Sequence, residues 1–511
     1  MSSSAGSAQS FAPFRPASMG LATLGLSLGT FMQVLDMTIA NVSLPTIAGN
    51  LAVSSDESTW VITSFTICQA ITLPMTGFLS RRIGEVKLFV WAAMFFSIFS
   101  LTCGLATSLS MLVVCRALQG AACGPMYPIT QSLMVSIYPR EKRAMALAII
   151  SMITVVAPIV GPVLGGYITD SYSWRWIFFI NVPLGFFASA VVFMQMGKRA
   201  EFLQKTRIDW IGVFTLILGV GALQIMLDKG NDLDWFNSAT IVVLAIVAVI
   251  ALTVFVVWEL TDEAPLVDLR LFHHRNFAAG TLALILGFAI LFAIALMIPL
   301  WLQDTLGYTA LWSGLAAAPV GVIPLLIMYW LGKYANRVDL RWLAAISFAA
   351  MGAACLLFGA LNTEVNFATI ALIELLFGLG TGLFFLPVLT ILLSELDGPE
   401  IAEGSGSATF LRTVGASFAV SIVTYLWFRG GAASHANLAE FINPFRQEVR
   451  HGIAAMGGNL QHYAAEVNGV ITQQGMQISV NHIFDGLGFL CFALIAVVFL
   501  SKPPFIRGRR H

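Results

Sequence analysis

Leu112-Val113-Val114-Cys115-Arg116-Ala117-Leu118-Gln119-Gly120-Ala121-Ala122-Cys123-Gly124 opens a stretch that stays apolar to Ser136 around one ionised side chain, Arg116. An arginine near the middle of a bilayer costs about 2.5 to 3.5 kcal/mol on insertion scales, so it faces a bundle interior or a water-filled cavity. Gly120 and Gly124 follow at intervals of four, on one helical face, and let a neighbouring backbone approach closely. Glu374, Gly378 and Gly382 repeat that spacing far along the chain. The two helices read as matching elements of two halves, each turning a charge toward a shared interior.

Composition agrees. The chain is 58% hydrophobic and 11% charged, whereas soluble proteins carry about 25% charged residues. This is a polytopic membrane protein. Lysines plus arginines balance aspartates plus glutamates at 27 each, which offers no footprint for nucleic acid. The six cysteines, Cys68, Cys103, Cys115, Cys123, Cys355 and Cys491, fall in apolar segments and read as small hydrophobes rather than disulfide or metal ligands. No GxxxxGK[ST] phosphate loop occurs, which argues against an ATP-driven pump. The seven histidines map to loops, helix margins or the tail, with no metal-ligand spacing and no nucleophile–histidine–acid set, so no catalytic residues and no metal site are expected. The Ser/Ala/Pro-rich N-terminal tail lacks a cleavable-signal pattern, and the first span is expected to remain as an anchor.

Apolar runs of spanning length start near residues 19, 60, 88, 112, 144, 176, 209, 238, 277, 312, 342, 368, 405 and 483. That predicts an all-α protein of fourteen transmembrane helices. About twenty Lys/Arg lie on the side shared with the termini, and only Arg175, Lys229, Arg429, Arg446 and Arg450 lie opposite. The positive-inside rule then places both termini in the cytoplasm.

The first six and last six helices read as copies. The second helix ends in Gly77, Arg81, Arg82, Gly84 and the tenth in Gly332, Asn336, Arg337, Asp339, the same glycine-then-polar pattern. Internal repeats with a site at their interface are the common plan of secondary transporters. The expected layout is a tail (1–18), an N-terminal six-helix bundle (19–198), an inserted two-helix linker (199–276), a C-terminal six-helix bundle (277–501) and a tail (502–511). The polar Gln/Asn/Ala-rich stretch near 429–482 is expected outside the membrane, either as a poorly ordered loop or as a docking surface for an extracytoplasmic partner.

Within the first span, at about 100° per residue, Gln33, Asp36 and Ser43 fall within about 80° of one another and make a polar stripe that belongs inside a bundle. Asp36 can exchange a proton for a substrate, or simply hold helices together through hydrogen bonds. Glu374 carries the same alternatives, among them an ion pair with Arg116. Gln33, Asn41, Gln119, Glu374 and Arg412 are the candidate cavity residues, with Arg412 early in its helix and a candidate for the interface. In the fifth helix, small residues at Ala157, Gly161 and Gly165 make a flat contact face, while Pro158 and Pro162 each remove a backbone donor and bend the helix.

These residues resemble the fourteen-helix drug:proton antiporters of the major facilitator superfamily, the EmrB/QacA type, over nearly the whole chain. Leu35 to Pro45 matches that family's first-helix signature; Arg116, Gln119, Gly120 and Gly124 its fourth-helix signature; and Gly161, Pro162, Gly165 and Gly166 its antiporter signature, with Ala157 where a glycine is usual. Gly84-Glu85-Val86-Lys87-Leu88-Phe89, Trp176 to Pro183 and Trp258 to Asp262 resemble the EmrB branch. The cytoplasmic loop motif keeps Gly77, Arg82 and Gly84 but has Arg81 where an aspartate is usual, and Glu85 near a usual basic position.

The resemblance implies a proton-driven exporter of hydrophobic or amphipathic toxic compounds, working by alternating access in a bacterial inner membrane without a cofactor other than the proton gradient. It implies a periplasmic adaptor and an outer-membrane channel as partners, Asp36 and Arg116 as coupling residues, and the fifth-helix glycines and prolines as a seal. Glu374 enters as a coupling candidate from the repeat alone. The rival readings are a proton-coupled metabolite importer on the same fold, which the fifth-helix Gly-Pro motif disfavours, and a non-transporting membrane scaffold or sensor.

Overall fold

The computed structural model describes residues 16–139, 142–199, 209–262, 265–396, 399–442 and 460–505, with three single positions between them. Residues 1–15 and 506–511, in the two predicted tails, and most of 443–459 lie outside the described residues.

Among the described residues twelve single helices are long and apolar enough to cross a membrane, and counting two bent pairs as spans brings the number to fourteen. In chain order they are α1 (Met19–Leu51), α2 (Trp60–Thr72 with Thr76–Ile83, bent by 61°), α3 (Glu85–Gly104), α4 (Leu109–Ile137), α5 (Arg143–Ser171), α6 (Trp176–Met196), α7 (Trp210–Lys229), α8 (Ala239–Thr261), α9 (Arg275–Asp304), α10 (Trp312–Tyr334), α11 (Leu340–Gly359), α12 (Phe367–Leu393), α13 (Pro399–Phe441) and α14 (Leu460–Phe499). Several starts carry side-chain caps, which satisfy backbone N–H groups that no helical carbonyl reaches: Ser18 for α1, Ser108 for α4, Asp209 for α7, Asp339 for α11 and Asn366 for α12. Gly84 joins α2 to α3 at φ 96°, a backbone that L side chains rarely adopt.

The same helix pairs pack in each six-helix half. α1 lies on α5 and α6, α2 on α4 and α3 on α6; likewise α9 lies on α13 and α14, α10 on α12 and α11 on α14. Glycine spacing fixes the register of this duplication. Gly120 lies against the Phe65 carbonyl of α2, and Gly378 against the Val320 carbonyl of α10. One turn on, a Cβ at Gly124 would stand 2.9 Å from the Gln69 oxygen, and one at Gly382 would stand 3.1 Å from the Pro324 Cα. Close helix–helix approach in lipid depends on such small residues.

α12 is the most enclosed span, 78% buried, whereas α8 is 22% buried and presents an almost continuous apolar surface to lipid. The inserted pair α7–α8 touches both halves. Thr63 of α2 donates to Asp228 of α7 at 2.5 Å, while Ser421 of α13 donates to the Leu227 carbonyl at 2.5 Å.

The expected loop at 429–482 is corrected. α13 continues as helix to Phe441 and α14 starts at Leu460, so both flanks of the polar stretch are helical extensions of membrane spans. Alanine and glutamine favour helix, and the fall in hydropathy marks where the chain leaves lipid. The extensions pack closely through Gly430, Gly431 and Gly475; a Cβ at Gly475 would stand 2.9 Å from the Gly431 carbonyl.

Candidate functional site

The centre of the N-terminal half is a closed polar cluster. Arg116 and Asp36 are both fully buried and form an ion pair, Arg116 Nη1 to Asp36 Oδ2 at 2.5 Å. Gln119 lies one turn after Arg116 on α4; its Nε2 donates to Asp36 Oδ1 at 3.3 Å, and its Oε1 accepts from Arg116 Nη1 at 2.9 Å. Asn181, at the start of α6, donates to Asp36 Oδ1 at 2.7 Å. Arg116 Nε donates to the Val61 carbonyl, and the guanidinium lies over Phe65 and Phe178 at 4.2 and 5.5 Å. Asp36 thus accepts from three side chains on two other helices. A buried carboxylate and guanidinium are tolerable when they are paired and hydrogen-bonded in this way; Arg116 Nη2 and Asn181 Oδ1 remain without a partner.

The fifth-helix motif lies directly behind Asp36. Gly161 packs on Thr38, and a Cβ at Gly165 would stand 2.7 Å from Ile39 Cγ1, whereas Gly166 faces open space up to Val42 at 3.9 Å. α5 bends by 44° between Arg143–Pro158 and Val163–Thr169, and Pro158, which has no backbone N–H to give, stands at the break. Further along, Ser43 of α1 and Thr169 of α5 share a hydrogen bond of 2.8 Å. The flat glycine face therefore serves contact between α1 and α5 inside one half.

The halves meet at the ends nearest the termini. Gly77 lies against Glu403 of α13, and Gly332, in the equivalent place of the other half, lies against Met145 and Ala148 of α5. Arg81 forms an ion pair with Glu403, and Glu403 also accepts from the Asp268 backbone at 3.0 Å. Ser405 donates to Gln131 across the same seam. Glu85 is held by Arg199 at 3.3 Å and by Ser132, within its own half. Arg82 lies 6.0 Å from the Phe78 ring centroid on its own helix.

Other candidates fall as follows. Gln33 is buried in α1 with its Oε1 unpartnered, and Asn41 is exposed on the same helix. Glu374 is buried in α12. The carboxylate paired with Arg116 is Asp36, so the Arg116–Glu374 pair left open by the sequence is not formed. Arg412 is buried where the halves meet, its guanidinium 4.4 Å from the Tyr127 ring of α4 and 4.6 Å from the Phe288 ring of α9. Sequence reasoning missed Asn181 and Glu403 as site residues. Asn181 was visible as the one amide in the apolar run from Trp176 to Pro183; Glu403 lies near the start of a span, and no spacing within its own helix singles it out.

Two matched bundles with an inserted pair define a known architecture, and residues 26–420 match the Major Facilitator Superfamily. The chain belongs to that superfamily. Among superfamily relatives it is 44% identical over 501 residues to the multidrug export protein EmrB of Escherichia coli strain K12, covering 97% of this chain and 98% of that protein. It is 42% identical over 501 residues to the fatty acid resistance protein FarB of Neisseria gonorrhoeae, covering 98% and 99%. Its fold is similar to that of the human organic anion transporter MFSD10, with a TM-score of 0.61 at 13% identity over 93% of this chain and 99% of that one. The proton:xylose symporter XylE gives a TM-score of 0.57 at 15% identity, over 93% and 94%. As a superfamily member with full-length EmrB-type relatives, the chain is a multi-pass transporter and not an enzyme.

Proposed function

We propose that this transporter is a proton-coupled multidrug exporter of a bacterial inner membrane, with both termini in the cytoplasm. It takes hydrophobic and amphipathic toxic compounds outward in exchange for inward protons by alternating access, without a further cofactor. The full-length likeness to EmrB and FarB supports export of such compounds, fatty acids included. The observation that carries proton coupling is the fully buried Asp36–Arg116 pair, a charged couple kept in the bundle interior at high desolvation cost.

Protonating Asp36 removes the charge around which Arg116, Gln119 and Asn181 are arranged. That loosens α1 against α4 and α6, while α1 remains seated on the glycine face of α5. The seam contacts Arg81–Glu403 and Gln131–Ser405 hold the terminus-side ends together. On the positive-inside reading, this conformer is closed toward the cytoplasm. Opening it exchanges that seam for contacts at the other face, with Glu374 and the central amides available to the proton and cargo. The helical extensions of α13 and α14 supply a rigid outside surface for a periplasmic adaptor, which links in turn to an outer-membrane channel.

The test is pH-gradient quenching in proteoliposomes challenged with lipophilic cations, anions and neutral compounds. Substrate-driven proton movement opposite to the compound is expected. Absence of proton movement with every compound, or movement in the same direction as the compound, would overturn the proposal.

A further inference from the structure

Arg412 is a buried cation for which the described residues supply no counter-ion. It is 6% exposed, and among the described residues no carboxylate lies within ion-pair distance of it. Its Nε has no partner, and its Nη1 makes one long hydrogen bond, 3.4 Å, to the Tyr127 hydroxyl. The comparison with Arg116 is internal to the molecule. Both guanidinium groups are buried against two aromatic rings and each has one unpartnered nitrogen, but Arg116 has a counter-ion in Asp36 and further bonds to Gln119 and a backbone carbonyl. Ring faces return less than the burial of a guanidinium costs. Among the described residues nothing takes up the remainder of Arg412's hydrogen-bonding capacity.

We propose that Arg412 recognises the anionic headgroup of the transported compound, so that the preferred cargo is an amphiphile carrying a carboxylate or a similarly compact anion. The inference rests on the export reading above and names its substrate class. Position favours it: Tyr127 belongs to one half and Phe288 to the other, so an anion seated on Arg412 touches the seam about which the halves move. The apolar wall continues from Phe288 to Phe292, with ring centroids 4.6 Å apart, and to Phe385 at 6.0 Å. A hydrocarbon tail can lie along these rings while the head engages the guanidinium, whose planar donors match a carboxylate. A cationic amphiphile of the same shape would meet like charge.

The experiment is saturation binding of radiolabelled dodecanoate, dodecylammonium and dodecanol to the full-length protein in nanodiscs, with binding to empty nanodiscs subtracted. The wild type is expected to bind dodecanoate roughly ten- to a hundredfold more tightly than dodecanol, the range of a charge-assisted hydrogen bond. Arg412→Gln should erase that margin and leave dodecanol unchanged; Arg412→Lys should keep part of it and serves where the glutamine variant does not insert. No preference for dodecanoate in the wild type, a preference that survives Arg412→Gln, or an equal loss for all three ligands would overturn the assignment. Proton-coupled export of dodecylammonium or dodecanol without dodecanoate binding would defeat this inference and leave the export reading standing. Arg412-dependent dodecanoate binding without any proton-coupled export would do the reverse.

Discussion

Arg81 of α2 and Glu403 of α13 are joined by an ion pair that bridges the two halves, with Gly77 packed against the Glu403 side chain beside it. Arg81 stands where the family resemblance leads one to expect an aspartate, and an acid, Glu403, is supplied from the opposite half. Glu403 is 4% exposed and is also tied to the Asp268 backbone, so the acidic partner is held in place and the arginine reaches to it. Charge and glycine contact thereby meet on one residue of the seam, Glu403.

Reversing either charge alone, Arg81→Glu or Glu403→Arg, is expected to weaken closure of the terminus-side seam and lower export. The double reversal should recover much of the loss. In a double-mutant cycle on transport rate the pair should show a coupling of roughly 1 to 3 kcal/mol; additive effects would show that the contact does not hold the conformer.

Asp36→Asn is expected to abolish substrate-driven proton flux while the protein still inserts. It also leaves Arg116 buried and unpaired, which costs about 3 to 5 kcal/mol and should lower the melting temperature in detergent. Combining it with Arg116→Gln should restore stability without restoring coupling. Full proton-coupled efflux by Asp36→Asn in proteoliposomes would remove Asp36 from the mechanism.

The glycines of α5 provide a graded test. Gly161→Leu must displace Thr38, two residues from Asp36, and should reduce transport by roughly tenfold or more, since small displacements of a working site are costly. Gly166→Leu points into open space and should be tolerated. Equal effects of the two substitutions on uptake and leak assays would show that the glycine face has no special part.

Replacing residues 436–468 by a short linker keeps Gly430, Gly431 and Gly475 in contact, together with the bonds from Gln473 and Gln477 that anchor α14 to Thr305 and Leu361. Transport in vesicles should persist while resistance of intact cells falls. Resistance retained in full would argue against adaptor docking on this surface.

Asp339 caps α11 through the Arg341 backbone N–H at 3.0 Å and pairs with the Arg341 side chain at 2.7 Å, which holds its carboxyl below the usual range. A depressed carboxyl contributes stability that is present at neutral pH and is lost as pH falls through its folded-state value. Asp339→Ala should therefore lower thermal stability at pH 7, by about 1 kcal/mol for a lost cap. The difference from wild type should shrink toward pH 3 in a melting series.

Much of the architecture was legible because lipid imposes it. A span needs about twenty apolar residues, and a stranded arginine must face inward. Gly120 and Gly378 could be matched by spacing alone, since a helical face repeats every three to four residues. Partners could not. Asp36 meets Arg116, Gln119 and Asn181 from helices far apart in sequence, and no periodicity within one helix reports that. Arg81 and Glu403 were each visible as charges at span ends, but their pairing depends on how one half sits against the other. The stretch after Arg429 was misjudged because hydropathy measures the surroundings of a helix and falls when the helix enters water, whether or not the helix stops.

Ser421 of α13 and Thr63 of α2 each grip α7, one through the Leu227 carbonyl and the other through the carboxylate of Asp228, the very next residue. The two halves are thus moored to a single turn of a third element. If the halves swing apart as proposed, that mooring has to slip on one side, and the inserted helices would then act as an outrigger whose grip sets how far each stroke can travel.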